Sequence, residues 1–182
     1  CSYTQYPLLI NEDKSAVINA RSMDIKSNGE MYLNGNVFIG LNEGKINADS
    51  ATFIQKQNSV KDIKNGSIYH SNNYFNFLTG SLEKKSGQLK LDNGITFLSE
   101  RNLLISYESL GGNLGEFLKF KNATLTTCSN NNQGWEIEAA SINIDENTSR
   151  GSIKDMKLKI FNKKVLMLSL IHISEPTRRC YI

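Results

Sequence analysis

The sequence predicts an all-β chain, and three observations carry that prediction. Apolar and polar residues alternate along most of its length. "MYLNGNVFIGL" places Met31, Leu33, Val37, Ile39 and Leu41 on one parity, "WEIEA" sets Trp135, Ile137 and Ala139 against two glutamates, and "MKLKI" sets Met156, Leu158 and Ile160 against lysines. Period 2 with one polar face marks half-buried strands. Clusters of Asn, Gly and Ser punctuate the runs, as turns between strands require. No proline lies between Pro7 and Pro176, as paired central strands demand, because proline cannot donate to a ladder. Together these give stacked antiparallel strands in a sandwich, barrel or solenoid.

The length of 182 residues suits one domain with a sizeable core. Residues 1–15 precede the clear alternation and are read as an N-terminal segment. No signal peptide is seen, and the opening at Cys1 is what a processed start would give. From 16 to 167 a weak repeat runs through the chain. "NGNVFIG" at 34, "NGSIYHS" at 65, "NGITFLS" at 93 and "NATLTTC" at 122 recur at about 30 residues. Each is read as a turn followed by a strand, since Asn-Gly supplies the positive φ of tight hairpins. A second element follows in each unit: "INADSATF", "FNFLTGSL", "LISYESL", "IEAASINI". One unit is therefore about two strands, burying its face against its neighbours. Asn-Gly is also common in any β protein, which is the plainer reading of the same dipeptides.

The last stretch, "LSLIHISEPTRRCYI" from Leu168, lacks the alternation. From Leu168 to Arg178 it closely resembles the conceptual translation of a transposase-type sequencing adapter read into an open reading frame. Residues 168–182 are therefore read as a non-native tail and set aside from the fold; an ordinary polar tail is the other reading. The natural chain is expected to continue past Met167. Setting the tail aside leaves 19 basic against 17 acidic residues (net +2), one histidine, His70, and two cysteines, Cys1 and Cys128.

This inventory excludes several classes of function. The charge is mild and no basic stretch appears, so nucleic acid is not an expected partner. No apolar run reaches the roughly 18 residues of a membrane-spanning helix. One histidine and two distant cysteines cannot make a structural zinc site. "DENTSRG" echoes a calcium loop through Asp145, Asn147 and Ser149, but its glycine falls one place late and Met156 stands where the bidentate Glu belongs. It reads as a hairpin turn. "LGGNLGEF" holds Gly111, Gly112 and Gly115 but no GK[ST] and no following helix, so it is a loop and not a phosphate cradle. There is no G-x-S-x-G elbow, and His70 is the one candidate base. The carboxylate pairs Asp24 with Glu30 and Glu136 with Glu138 sit at strand-surface parity. Neither an enzyme nor a cofactor is expected.

What remains is the apolar face. Val37, Ile39, Ile46, Ala48, Phe53, Phe75, Phe77, Leu89, Ile95, Phe97, Leu125, Trp135, Ile137 and Ile142 are placed on it, with Asn, Lys, Asp and Glu on the opposite parity. Such a face either closes a core or lines a groove; the residues alone leave both open. A second oddity is that "ATLTT" ends on Cys128, breaks into "SNNNQG" and restarts on Trp135, the one Trp of the chain.

The block from Asn122 through Trp135 to "KDMKLKI" resembles the end of the periplasmic N-terminal domain of the LPS-assembly outer-membrane protein family, LptD. The family shows a strand ending in Cys, a polar turn, a Trp opening the next strand, then an A-x-x-I-x-I-D strand. Here these are Cys128, Trp135, Ala139, Ile142, Ile144 and Asp145. Upstream, "LNGNVFIGLNEGKINADSATF" resembles the repeat that this family's β-jellyroll shares with the bridge protein LptA. The resemblance covers about residues 15 to 167. "NKKVLML" departs from it, lacking the proline and aromatic of the family's strand that enters the barrel.

The resemblance implies an open β-jellyroll, a V of stacked antiparallel strands of the bridge-protein type. It implies a periplasmic domain, at the periplasmic face of a Gram-negative outer membrane, that receives lipopolysaccharide and passes it along an apolar groove toward a β-barrel translocon. The fourteen apolar residues would then bind lipid. Cys1 and Cys128 would each bond a cysteine of the downstream barrel, in an oxidising compartment where such bonds persist. The implied partners are lipopolysaccharide, an LptA-like bridge protein docking by edge-strand β-augmentation, the barrel of the same chain and its plug lipoprotein. Two other readings stand beside this one: a soluble LptA- or LptC-like bridge protein, against which the Cys–Trp block argues, and a β-sandwich or solenoid glycan-binding or adhesion module, which would show exposed aromatics on a flat face. A β-helix hydrolase would need an acidic cluster that the repeats do not show.

Overall fold

The computed structural model describes residues 17–41, 44–83, 86–127, 134–148, 150–161 and 163–174. Within them the strands are β1 (Ile18–Asn19), β2 (Ser22–Ile25), β3 (Glu30–Leu41), β4 (Gly44–Ile54), β5 (Ser59–His70), β6 (Asn73–Glu83), β7 (Gln88–Leu98), β8 (Leu103–Asn113), β9 (Phe117–Thr126), β10 (Trp135–Asp145), β11 (Arg150–Ile160) and β12 (Lys163–Ser174). Two 3-10 turns, Gln55–Gln57 and Ser99–Arg101, are the only helical elements among the described residues. All strands join one antiparallel sheet in which, from β3 on, each pairs with the next in sequence; β1 and β2 both pair with β3. The chain is all-β with an open sheet, as alternation and turn chemistry predict.

The strands from β3 to β12 are long, and the Asn-Gly pairs explain why. Those of the repeats are not hairpin turns, although Asn28-Gly29 does sit in the β2–β3 hairpin. Asn65-Gly66 and Asn93-Gly94 lie in mid-strand. At these points the inward-facing parity switches. Leu89 and Leu91 are buried on β7, then Thr96 and Leu98; Leu118 and Phe120 on β9, then Ala123 and Leu125; Ile46 and Ala48 on β4, then Ala51 and Phe53. On alternate strands the switch is made by a left-handed residue: Asn36 (φ 50°), Asn65 (47°), Asn93 (51°), Asn122 (46°) and Asp155 (54°). Short polar side chains tolerate that conformation where others do not. A positive φ serves a hairpin and a mid-strand switch equally, so the dipeptide alone cannot separate them. Hairpin geometry appears at Ser71–Asn72 (φ 46° and 66°) between β5 and β6, as it does at Asn28-Gly29 between β2 and β3.

These switch points line up across the sheet as a crease. Ladder partners run Ser50–Lys64, Lys64–Thr79, Thr79–Asp92, Asp92–Ser109, Ser109–Lys121, Lys121–Ser141 and Ser141–Lys154. Beside this row the left-handed asparagines reach the neighbouring strand: Asn65 Nδ2 donates to Asp49 Oδ2 (2.8 Å) and Asn122 Nδ2 to Glu108 Oε2.

The sheet folds over at the crease. Asn73 opens β6 at one end of the strands, and its Nδ2 donates to Oε1 of Glu146, just beyond the other end of β10 (3.4 Å). Laid flat, the two would stand four strand spacings of about 4.8 Å and most of a strand length, at roughly 3.3 Å per residue, apart. Only a sheet doubled back on itself brings them together. The inner sides of the two halves then form one apolar cluster from Leu33 to Met156.

The strand β12 does not stop at the expected boundary of Met167. It runs on to Ser174, with Leu168, Leu170 and Ile171 opposite Met156, Lys154 and Ile153. The free edge of β11 offers its N–H and C=O groups to any extended segment. Among the described side chains of β12 only Ile171 packs on the core, while Val165, Leu166, Met167, Leu168 and Leu170 are exposed.

The crease has a measurable cost structure. Asn93→Ala should lower stability by about 1 kcal/mol, because a Cβ without a compensating polar group strains the left-handed region, whereas Asn93→Gly should be close to neutral. Urea midpoints at constant m-value check this; equal effects of the two substitutions would argue against backbone conformation as the cause.

Candidate functional site

The inner face brings together most of the residues placed on it from sequence. Val37, Ile39, Ile46, Ala48, Phe53, Phe75, Phe77, Leu89, Leu125 and Ile142 are all buried in the one cluster. Ile137 packs partly buried against it, and Trp135 is half-buried at the start of β10, its carbonyl accepting from Thr126 Oγ1 (2.8 Å).

Ile95 and Phe97 are a correction. Ile95 is 47 % exposed and Phe97 half-buried, while Thr96 and Leu98 between and beyond them are buried. Asn93 is the reason: its left-handed turn switches the parity, so the second half of β7 presents its even residues inward. Strict period 2 carried from Leu89 through the Asn-Gly pair also meets Ile95 and Phe97 with the same odd numbers, which is why they read as inward. The same switch hid inward residues such as Ala51, Thr96, Leu110 and Ala123. The signal that finds them is the pair of consecutive polar residues at each crease position, Asp92–Asn93 and Lys121–Asn122 among them.

In this structure the face is closed. Phe77 (1 % exposed) fills the space in front of two glycines: a Cβ on Gly66 would lie 2.6 Å from its Cζ, and one on Gly80 2.8 Å from its ring and 2.6 Å from Leu91 Cδ2. The interior is not wholly apolar. The buried Tyr107 hydroxyl donates to the Asn76 carbonyl (3.4 Å), and its ring tilts against Phe120 at 5.6 Å between centroids. Burial pushes the phenol up to about 12, so it stays a neutral hydroxyl.

Outside, the polar parity carries ordinary surface chemistry. Lys159 on β11 reaches Glu136 (2.9 Å) and Glu138 on β10. Its hydrogen bond holds the Glu138 carboxyl below the usual range, and the two carboxylates, Glu138 foremost, hold the ammonium above its own. "DENTSRG" is the β10–β11 turn, where the Thr148 N–H donates to Asp145 Oδ1 (2.9 Å). Among the described residues no strand pairs beyond short β1 and β2 at one side, where Met23 and Ile25 are exposed, or beyond β12 at the other. Cys1 and Cys128 lie outside the described residues.

No protein-family model matches the chain. Two curated proteins do. The LPS-assembly protein LptD of Idiomarina loihiensis is 27 % identical over 154 residues, 83 % of this chain and 20 % of its own length. LptD of Shewanella denitrificans is 25 % identical over 170 residues, 93 % of this chain and 22 % of its own. The chain thus spans about a fifth of the length of these relatives. Among solved structures, LptH of Pseudomonas aeruginosa, the LptA-homologous periplasmic component of its lipopolysaccharide transport device, aligns over 91 % of this chain and 98 % of its own at 10 % identity, with a TM-score of 0.29. That score is too low to add to what the sheet itself shows of the fold. The resemblance read from the repeat upstream and the Cys128–Trp135 block holds against curated relatives: over most of its length this chain is similar to LPS-assembly proteins of the LptD kind.

Proposed function

We propose that this chain is a periplasmic lipopolysaccharide-transfer domain whose folded-over apolar face takes up acyl chains. The observation that carries the reading is that one apolar face runs from β3 to β11 and, among the described residues, is covered by nothing but itself, in a sequence similar to LptD. Each buried CH₂ contributes about 0.8 kcal/mol, so a lipid with several acyl chains cannot cross water bare and needs an apolar path. The closed state does not oppose this. The two halves are held together by side-chain packing and by few polar links such as Asn73–Glu146. Parting them breaks no ladder hydrogen bond, and an entering acyl chain replaces the apolar contacts that are lost. The relevant residues are those buried from Val37 to Ile142, without Ile95 and Phe97.

In this reading the domain acts at the periplasmic face of the outer membrane and catalyses nothing. One free edge receives an LptA-like bridge protein by β-augmentation, and lipid passes to a barrel and its plug lipoprotein. A soluble LptA- or LptC-like bridge protein is the second reading compatible with the same fold; the Cys128–Trp135 block favours the first.

A benzophenone side chain in place of Phe53 or Phe77 should capture lipopolysaccharide during transport, and one in place of the outward Ile95 should not. Phe77→Ala is expected to destabilise the domain by about 3–5 kcal/mol, so transport must be compared at equal amounts of folded protein. Capture at neither inner position, with transport tracking folded protein alone, reduces the face to an ordinary core. For the cysteines, alkylation of this chain after mild reduction should find both Cys1 and Cys128 free. A high-yield Cys1–Cys128 bridge in the monomer would count against partners in a barrel.

A further inference from the structure

One rim of the folded-over sheet is tied by side chains. The β5–β6 turn and the Ser99–Arg101 turn between β7 and β8 lie at one end of the strands; the β8–β9 connection and the β10–β11 turn lie at the other. Asn73 and Glu146 join these two ends. Asn73 Oδ1 accepts from the Ser99 N–H (3.2 Å), and its Nδ2 donates to Glu146 Oε1 (3.4 Å). Glu146 is held on its own side. Its N–H donates to the Glu116 carbonyl (2.7 Å), and the Gly115 N–H donates to its carboxylate. Each half of the sheet thus presents a fixed partner to the other.

The apolar cluster starts within two residues of these supports. Leu98 precedes Ser99, Leu114 precedes Gly115 and Ile144 stands two residues before Glu146, and all three pack in the cluster. Glu146 itself is half-buried, and burial holds its carboxyl above the usual range. Arg101, on the same turn as Ser99, opposes that shift, and Glu100 adds to it. Desolvating a carboxyl at a rim is unfavourable unless it binds something. What it binds here is the other half of the sheet.

We propose that Glu146 and Asn73 form a latch that keeps this rim of the apolar interior shut until an apolar chain enters. The latch rests on the lipid reading only for what enters. Its release breaks no ladder hydrogen bond, so the rim can part while each half stays folded. The closed state holds the Glu146 carboxyl above its solvated value, so closing takes up protons. The latch is therefore tightest in acid and loosens as pH rises through the range above the ordinary carboxylate pKa. Other titratable groups stand at the rim: His70, paired with Asn73 across the β5–β6 ladder, Glu100, Arg101, Glu116 and Asp145. Glu146→Gln separates the titration of Glu146 from theirs.

The test is the rate at which N-phenyl-1-naphthylamine, a neutral probe that fluoresces in apolar surroundings, enters the full chain in stopped flow. Glu146→Ala and Asn73→Ala should each speed entry about fivefold. The double variant should be no faster than the quicker single one, since both remove the same link. Glu146→Gln keeps an acceptor and should admit the probe no faster than the parent chain. Entry into the parent should quicken as pH rises, and entry into the Gln variant should lose that component. Amide exchange in the β7–β8 ladder, which the latch does not hold, should be the same in all variants. Unchanged entry in both alanine variants, additive effects, a Gln variant as fast as the Ala one, identical pH profiles for parent and Gln variant, or entry that quickens only as ladder protection falls would each overturn the proposal. Lipopolysaccharide capture at Phe77 with entry indifferent to these variants removes the latch alone; a working latch without capture removes the lipid path and leaves a closing contact over an ordinary core.

Discussion

A sheet with one apolar face needs a second layer to cover it, and this chain offers no helix and no second sheet for the purpose among its described residues. It covers the face with the face. Everything else in the structure answers to that constraint. Strands must be long enough to contribute to both layers, so β3 to β12 run 10 to 12 residues. Each must bend in its middle without leaving the ladder. Each must also turn its side chains at the bend, or the second half would present its polar parity to the interior.

The crease meets all three demands with few residues. A left-handed Asn or Asp on every second strand rotates the chain, and the intervening strands follow through their ladder partners with no positive φ of their own at the crease. Because the two halves meet through side chains and not through backbone pairing, the doubled sheet is stiff along its surface and soft across its gap. Phe77 against Gly66 and Gly80 shows how tightly the gap is filled when nothing occupies it.

The fold class was legible in the sequence because alternation and the absence of proline report on pairing, which is local. The repeat was legible too, and two strands per unit is what the structure contains. The meaning of the asparagines was not. Asn93 needs a positive φ whether it closes a hairpin or switches a strand, and only the partners across the ladder, Tyr107 against Gly94 and Ser109 against Asp92, tell which. The misplacement of Ile95 and Phe97 follows from that single ambiguity. The continuation of β12 past Met167 was hidden because its pairing depends on the open edge of β11, not on any pattern of its own.

The spacing of the crease sets rules for how such a chain can vary in length. Its left-handed residues fall at steps of 29, 28, 29 and 33. The longest step takes in the connection between β9 and β10, so extra residues are absorbed at a strand end and the crease stays aligned. A duplicated pair of strands would slot into the stack and lengthen the interior by a fixed increment, with inside and outside preserved. A single residue gained or lost within a half-strand would instead invert that half alone, setting charged residues against the aromatic filling. Drift in this architecture should therefore be confined to the rims and to whole modules, and the length of the apolar interior becomes a quantity counted in pairs of strands.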